Sequence, residues 1–337
     1  MGHSAKVIEP GRIEVQETAD PEPGPGEVTV AVEGCGICGS DLHWFTGLGA
    51  VPGVCPGHEF WGRIDRVGPG AGHWTAGTPV AVEPLRRCLV CPHCKAGNYH
   101  LCDGLGIHGV THDGAMSTRV AVPAYTLFQL PEGLDPAIAC LTEPLAVCVH
   151  ALGLAAAGPG SRVLVLGAGS IGLLSVLVAK RMGADFVAVT ARHPHQAALA
   201  RALGADQVLE PEAYLDTAEP CPAVIETVGG QAPTLDHAVR AVAKGGRIVI
   251  VGLFEDTPAF HPLLFMMKEA SMVSSMIYNR GGAKADFELA LDALADNAPV
   301  LAPLITHRFG LTSVEEAFRT AADKTTGAVK VVVEPRV

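Results

Sequence analysis

Four cysteines are closely spaced in the first third of the chain, and sulfur ligands at such spacing can hold a metal ion. They follow the pattern Cys88-x2-Cys91-x2-Cys94-x7-Cys102 and fall within fifteen residues. Four thiolates complete the tetrahedral sphere of Zn²⁺ and leave no position for water, so such a site stabilises structure and does not catalyse. Disulfides or unliganded core thiols are the alternatives. A zinc module for nucleic acid is a further one, although Lys95 is the only lysine or arginine in the segment.

A second group of possible metal ligands is spread over a longer stretch. A catalytic zinc takes three protein ligands and keeps a fourth position open for water or substrate. Cys38 and His58, twenty residues apart, are the first two candidates, and the third is either Glu59 or Glu143. Nothing in the sequence decides between these two carboxylates. We therefore predict an open, catalytic zinc site in addition to the closed one.

Three further polar residues follow Cys38 within one short segment. We predict that Asp41 is the carboxylate that orients a ligand imidazole, as such partners commonly do. Ser40 and His43 place a hydroxyl and an imidazole beside it. Taken singly, each has an ordinary structural interpretation, for example a capping or surface histidine. Their combination with His58 and a closed zinc loop favours the catalytic interpretation.

A glycine-rich segment in the middle of the chain has the context of a dinucleotide-binding turn. Residues 163–174 read VLVLGAGSIGLL, an apolar strand run before the glycines and an apolar helical run after them. The glycines permit a tight turn and close approach of a pyrophosphate, and the helix N-terminus supplies backbone donors. The predicted cofactor residues here are Gly167, Gly169, Ser170, Ile171 and Gly172.

The residues after the next predicted strand bear on which nicotinamide cofactor is used. Enzymes specific for NAD usually carry Asp or Glu about twenty residues after the glycines, where it binds the ribose 2′-hydroxyl. This chain has Ala191, Arg192 and His193 there and no acid. Without a carboxylate to repel it, a 2′-phosphate could pair with Arg192 and His193. We expect NADP, with NAD as the alternative.

The elements that must position these residues divide the chain into an α/β protein of two domains. Residues 1–146 are rich in Gly, Pro and Val, which indicates a mainly β domain. Residues 147–282 alternate apolar strand runs with Ala- and Leu-rich helical runs, which indicates a doubly wound parallel sheet. Residues 283–337 are expected to return to the first domain. The predicted strands are 163–166, 186–189, 223–225, 248–251 and 328–333, and the predicted helices are 171–182, 196–203, 235–243, 287–295 and 314–322.

Composition favours a folded protein that acts on a small molecule. The chain has 337 residues, 48% of them hydrophobic and 18% charged, enough for two apolar cores. A formal net charge of −11 disfavours nucleic acid and anionic membranes as partners. The longest uncharged apolar stretch, 163–179, is short for a membrane span and is interrupted by glycines. No signal segment is recognisable, so we expect a cytoplasmic protein, in which clustered cysteines bind metal more often than they form disulfides.

Together these motifs resemble the zinc-dependent medium-chain alcohol dehydrogenase family, in its sorbitol and threonine dehydrogenase-like branch. The resemblance extends over essentially the whole length and includes Gly57-His58-Glu59, Glu143-Pro144 and the closing segment 317–330. It implies a GroES-like catalytic domain carrying one structural and one catalytic zinc per subunit. It also implies a Rossmann domain, an active site in the cleft between the domains, and a homotetramer or homodimer.

The resemblance also implies a reaction, hydride transfer between a secondary alcohol or polyol, or the matching ketone, and NADP. Ser40 would accept the proton first and His43 would pass it to solvent, while Val251 and Leu253 would back the nicotinamide ring. In this branch the glutamate beside the histidine often binds zinc and the later one acts through water. The alternatives are an amino-alcohol or 2,3-diol dehydrogenase that uses NAD, and a nonenzymatic binding protein that retains the fold.

Overall fold

The chain divides between Glu143 and Pro144 and again between Tyr278 and Asn279. The computed structural model describes residues 1–47, 53–211, 213–217 and 219–335. The first unit contains the N-terminal part and the C-terminal segment, and the second unit contains the part between them. Each unit has its own sheet and apolar core, so the chain leaves the first sheet, builds the second, and returns.

The N-terminal part of the first unit is mainly β-structure, as expected. Its strands are β1 (Gly2–Glu9), β2 (Arg12–Thr18), β3 (Glu27–Gly36), β4 (Glu59–Val67), β5 (Pro79–Val82), β6 (Leu85–Arg86), β7 (Gly106–Ile107), β8 (Arg119–Pro123) and β9 (Leu127–Gln129). Its short helices are α1 (Gly39–Phe45) and α2 (Pro92–Lys95). The longer α3 (Thr142–Leu154) begins in this unit and continues into the second.

The second unit alternates strands and helices. Its strands are β10 (Arg162–Leu166), β11 (Phe186–Thr190), β12 (Gln207–Leu209), β13 (Cys221–Glu226), β14 (Val242–Ile250) and β15 (Ser271–Ser274). Its helices are α4 (Ser170–Arg181), α5 (Pro194–Ala202), α6 (Tyr214–Thr217), α7 (Thr234–Ala241) and α8 (Pro262–Met267). The C-terminal segment adds α9 (Asp286–Asp296), α10 (Ala298–Leu301), β16 (Ile305–Gly310), α11 (Val314–Ala322) and β17 (Lys330–Glu334).

The large sheet of the first unit has the strand order β16-β17-β3-β4-β5-β9, with β8 also paired to β3. Alternate apolar residues of β3, such as Val28, Val30 and Val32, are fully buried in its core. β3 and β4 are antiparallel, with Gly36 opposite Glu59. The end of β3 and the start of β4 therefore meet at the same edge of the sheet.

The sheet of the second unit is parallel, with the order β12-β11-β10-β13-β14-β15. This is the order of a doubly wound dinucleotide-binding sheet, in which ligands bind beyond the carboxyl ends of the strands. All four predicted strands are present, but β12 and β15 were missed. Both are short edge strands with polar residues, so neither has the apolar run of a strand buried on both faces.

The junction of α7 and β14 shows the largest departure from the predicted boundaries in the second unit. α7 ends at Ala241 instead of 243, and β14 begins at Val242 instead of 248. The added part of β14 is irregular, since its pairing with β13 shifts register between Cys221 and Ala223. A Lys-Gly-Gly sequence inside a strand does not give an alternating pattern, and this explains the difference.

One continuous helical stretch, Pro136–Leu154, is long and apolar enough to span a membrane by length and composition alone. Most of its apolar window, 78%, is buried inside the protein. The core helix of a folded domain meets the same criteria, so this stretch is weak evidence for a membrane span.

Candidate functional site

The four cysteines of the first unit form one compact group. The sulfur atoms of Cys88, Cys91, Cys94 and Cys102 all lie within 4.8 Å of one another. Among the residues that the structure describes, no other group of three or more His, Cys, Asp or Glu ligand atoms meets this criterion. The spacing between the cysteines is short, so a loop closed by α2 is enough to bring them together.

Backbone amides surround these sulfurs in the manner of a metal-thiolate site. The amide of Cys94 donates to the Cys91 sulfur at 3.4 Å, and the amide of Cys91 donates to the Cys88 sulfur at 3.3 Å. The hydrogen bond from Cys94 lowers the pKa of the Cys91 thiol to about 6. All ten cysteines are free thiols, which rules out the disulfide alternative here. Four such donors fit a tetrahedral zinc ion.

Contacts of Arg87, the residue before Cys88, hold this loop in place. The Arg87 guanidinium lies over the rings of Tyr99 and Tyr125, at 4.0 and 5.0 Å from their centroids. It also forms a 2.9 Å ion pair with the buried Glu83. The loop is thus anchored to the β-domain immediately before its first cysteine. This anchor is not predictable from the sequence, because its partners are recognisable only by their contacts.

The second group of ligand candidates is brought together by the pairing of β3 with β4. Cys38 precedes α1 two residues after β3, and its amide donates to Asp41 at 2.9 Å. His58 immediately precedes β4, whose first residue is Glu59. Glu143 lies in the first turn of α3 and is 6% exposed. These four candidates come from three separate parts of the chain.

His58 is the centre of this second group. Its Nδ1 atom lies 3.6 Å from Asp41 Oδ1, and its Nε2 atom lies 3.4 Å from Ser40 Oγ. Burial alone would lower the pKa of His58, but the charge of Asp41, then Cys38 and Glu143, holds that pKa well above its usual range. Such a negative, buried environment suits a bound cation. With Asp41 behind Nδ1, the Nε2 atom faces the side on which Ser40 lies.

The placement of the ligand candidates fits a metal site that is less compact than the cysteine group. Asp41 is 1% exposed, and its Oδ1 atom has no hydrogen-bond partner among the described residues. Burial raises the pKa of Asp41, and His58 opposes this. His43 lies one turn after Ser40 on α1 and is half-buried. A thiol, an imidazole and two nearby carboxylates are the donor types that a catalytic zinc takes.

Glu59 has an additional partner that the sequence analysis missed. Lys330 at the start of β17 is 2% exposed, and its Nζ atom lies 2.7 and 2.5 Å from the two carboxylate oxygens of Glu59. The same Nζ donates to the Ile37 carbonyl at 3.1 Å. Burial would lower the pKa of Lys330, but Glu59 outweighs it and raises that pKa. A lysine within the apolar run of a closing strand was the available signal, because buried lysines need a charged partner.

The glycine motif of the second unit forms the turn from β10 into α4. Gly167 has φ +101°, and a Cβ there would lie 2.6 Å from Val228 Cγ2. A Cβ on Gly172 would lie 1.9 Å from the Gly167 carbonyl oxygen. Gly169 precedes α4 and provides no side-chain cap, and a helix N-terminus behind such a turn suits a phosphate. The turn fits a dinucleotide.

The residues expected to discriminate between the cofactors follow β11. Ala191 is 4% exposed, and its amide donates to the Leu209 carbonyl at 2.9 Å. Arg192 is exposed and makes no ion pair or hydrogen bond with any described residue. His193 immediately precedes α5 as its N-cap and stacks on His195, with ring centroids 5.5 Å apart. The guanidinium of Arg192 is therefore available to a ligand.

The two residues expected at the nicotinamide lie directly after β14. The Val251 amide donates to the Glu226 carbonyl at 2.9 Å. Leu253 is 58% exposed, and its carbonyl accepts a hydrogen bond from the Gly230 amide at 2.6 Å. Both residues belong to the loop beyond the carboxyl end of β14, on the side of the sheet where such cofactors bind.

Comparison with known families assigns the two halves of the chain. Residues 24–132 match the family described as the alcohol dehydrogenase GroES-like domain. Residues 170–296 match the family described as zinc-binding dehydrogenase. The first match covers both groups of metal-ligand candidates in the first unit except Glu143, and the second covers most of the parallel sheet.

Individual relatives match over most of their length. A sorbitol dehydrogenase from Arabidopsis thaliana is 31% identical, over 95% of this chain and 92% of that protein. An L-threonine 3-dehydrogenase from Saccharopolyspora erythraea is 34% identical, over 92% of each chain. A crystal structure from Sinorhizobium meliloti 1021, described as a zinc-binding dehydrogenase bound to NADP, has a TM-score of 0.91 at 31% identity and covers 99% of each chain. The chain belongs to the zinc-dependent medium-chain alcohol dehydrogenase family, in its sorbitol and threonine dehydrogenase-like branch, and is an NAD(P)-dependent alcohol dehydrogenase.

Proposed function

We propose that this enzyme transfers hydride between a secondary alcohol or polyol-type substrate and NADP. The observation that carries this proposal is the group around His58, in which a thiol, a carboxylate and a hydroxyl meet a buried imidazole. Family membership sets aside the nonenzymatic alternative. A dehydrogenase of amino alcohols or 2,3-diols that uses NAD stays the alternative function, since the relatives include a threonine dehydrogenase.

The catalytic zinc would be held by Cys38, His58 and one of the two carboxylates, Glu59 or Glu143. When bound, it would polarise the substrate oxygen and lower the pKa of an alcohol. Asp41 lies 3.6 Å from His58 Nδ1 and would hold that side of the ring by its charge, which leaves Nε2 as the ligand atom. Both carboxylate oxygens of Glu59 contact Lys330 Nζ. Glu59 would therefore bind zinc either while it keeps this ion pair or after it has broken it. Zinc content of Glu59→Gln and Glu143→Gln identifies the third ligand, since only the variant of the ligand loses the ion.

The closed zinc site would be formed by the four cysteines Cys88, Cys91, Cys94 and Cys102. It has no open position for a substrate and therefore serves stability. Together the two sites predict two zinc ions per chain.

Ser40 would receive the proton of the alcohol. Its hydroxyl lies 3.4 Å from His58 Nε2, so it stands next to the atom that would hold the metal. A hydroxyl can accept one proton while it donates another, which suits a relay. His43, one turn along α1 and half-buried, would pass the proton to solvent.

An aromatic residue, Trp44, lies near His58 and supports a proposal for the substrate pocket. Trp44 is half-buried, and its ring lies 6.0 Å from that of His58. Phe45, the neighbouring aromatic residue, packs instead against Phe318 in the core at 5.2 Å. Trp44 would thus limit the size of substrates near His58. A panel of diols, polyols, sugars and amino alcohols identifies the substrate class.

The preference for NADP is the sharpest part of the proposal. A 2′-phosphate carries up to two negative charges and would pair with the exposed Arg192, while Ala191 adds no repulsion. We expect a higher kcat/KM with NADP than with NAD. The double variant Ala191→Asp, Arg192→Leu should reverse this preference, because each charge-assisted contact contributes about 1.5 to 3 kcal/mol.

A matched control lies on α5, the helix that follows Arg192. Arg201→Leu removes an exposed arginine in the last turn of α5 and should leave the cofactor preference unchanged. Wild-type enzyme that uses NAD at least as efficiently as NADP would contradict the proposal.

A further inference from the structure

Glu226, at the carboxyl end of β13, is a buried acid to which the proposed reaction assigns no role. Its side chain is fully buried at 0% exposure. Among the described residues, no lysine, arginine or histidine forms an ion pair with it. Burying a charged group without a cationic partner is costly. The chain nonetheless places this acid in the sheet position beyond which cofactors bind in such folds.

One oxygen of Glu226 is fully used. Oε1 accepts hydrogen bonds from the Val228 amide at 2.8 Å, the Gly229 amide at 3.0 Å and the Thr234 hydroxyl at 2.7 Å. All three groups donate, and an oxygen that accepts three hydrogen bonds is typical of an ionised carboxylate. The loop that follows β13 is therefore folded around this oxygen.

The other oxygen has no partner. Oε2 is buried and makes no hydrogen bond with any described residue. A Cβ built on Gly252 would lie 2.5 Å from it, so the oxygen is in contact with the backbone between Val251 and Leu253. The backbone carbonyl of Glu226 also accepts from the amides of Val251 and Gly252, at 2.9 and 3.1 Å. The uncompensated negative charge is thus fixed beneath the loop expected to contact the nicotinamide.

The same loop also supports the glycine turn. Val228 Cγ2 would lie 2.6 Å from a Cβ on Gly167, and the Thr227 hydroxyl donates to the Leu166 carbonyl at 2.8 Å. Glu226 is therefore connected through one short loop to both parts of the proposed cofactor site, the glycine turn after β10 and the loop after β14.

We propose that the buried carboxylate of Glu226 stabilises the bound oxidised nicotinamide cofactor relative to the reduced one. The nicotinamide ring carries a positive charge when oxidised and none when reduced, so a fixed negative charge stabilises only the oxidised form. Coulomb attraction is strong where water is excluded, which is the environment of Oε2. Glu226 acts here as a positioning residue that does not itself react. This inference rests on the proposed cofactor function.

The test compares dissociation constants and needs no turnover. Binding of NADP⁺, NADPH, NAD⁺ and NADH to the zinc-loaded full chain is measured by calorimetry and by fluorescence of the reduced cofactors. In Glu226→Gln, which keeps the shape and removes the charge, the Kd of the oxidised cofactor should rise about tenfold relative to that of the reduced cofactor. An equal change for both redox forms, or no change, overturns the inference.

A matched variant separates the charge from the shape of the loop. Thr234→Val removes one hydrogen bond to Oε1 but keeps the carboxylate, so the ratio of the two dissociation constants should stay within about twofold of wild type. If it shifts as much as in Glu226→Gln, loop shape and not charge sets the preference, and the inference fails.

A second charge variant covers the case in which Glu226→Gln does not fold. Thr234→Lys brings a cation to the half-buried start of α7 beside the intact carboxylate and should shift the ratio in the same direction. An unshifted ratio in folded Thr234→Lys overturns the inference. Wild-type protein that binds none of the four cofactors would instead refute the proposed function.

Discussion

The two candidate metal sites of the first unit are built in opposite ways. The cysteine loop takes its four ligands from fifteen consecutive residues, and three of the sulfurs accept hydrogen bonds from amides within the loop. The His58 group takes its candidates from the end of β3, the start of β4 and the start of α3, and it includes a lysine from β17. The first site is closed and partly exposed, whereas the second is buried among negative charges.

This difference separates stability from chemistry. A closed thiolate site adds binding free energy to folding and has no position for a reactant. The dispersed group has a hydroxyl beside its central imidazole and a buried charge network behind it. Substitutions in the two regions should therefore have opposite signatures, a loss of stability in one and a loss of turnover in the other.

The largest effect is expected at Ser40. Ser40→Ala removes the proposed first proton acceptor, and positioned proton transfer typically contributes about 10²- to 10⁴-fold to the rate. Turnover should fall by that factor while cofactor affinity, zinc content and melting temperature stay near wild type. Thr46→Ala, which removes a hydroxyl at the end of the same helix, is the control and should keep turnover within about twofold. Unchanged turnover in Ser40→Ala, with chemistry rate-limiting, would exclude the relay.

The next effect concerns the cysteine loop. Cys91→Ser should reduce the zinc content from two ions per chain to one and lower Tm by roughly 10 °C, which corresponds to about 4 kcal/mol. The activity per folded molecule should change little. Metal analysis, calorimetry and active-site titration measure the three quantities. Cys221→Ser, a buried cysteine of the second unit, should keep both ions. Equal melting temperatures for Cys91→Ser and wild type would contradict the stabilising role.

The smallest effect is expected at Lys330, the partner of Glu59 in the His58 group. Lys330→Met leaves Glu59 buried without its cation and should reduce the free energy of unfolding by about 3 kcal/mol. Because the pKa of Lys330 is raised in the folded state, the ion pair contributes fully from neutral pH up to the usual lysine pKa of about 10.4 and is lost on the alkaline side only above it. The difference from wild type should therefore be constant between pH 7 and 9. Denaturant unfolding at several pH values measures it, and a variant as stable as wild type would show that the pair is unimportant.

Prediction from the sequence succeeded where neighbours in the chain interact. The cysteine spacing, the glycine turn and the four long strands of the second unit were all recognisable, because each depends on a run of fewer than about twenty residues. The edge strands β12 and β15 were missed, since a short strand with one neighbour needs no apolar run.

The sequence by itself thus determined the family and the two-part α/β fold, and it supplied the residue types of each proposed site. Tertiary structure alone decided which charges face one another. The pairing of Glu59 with Lys330 joins residues 271 positions apart, and the register of β3 with β4 places Glu59 opposite Gly36. The unpartnered oxygen of Glu226 likewise becomes visible only when β14 lies beside β13. Electrostatic interaction depends on distance in space and on burial, and neither follows from distance along the chain.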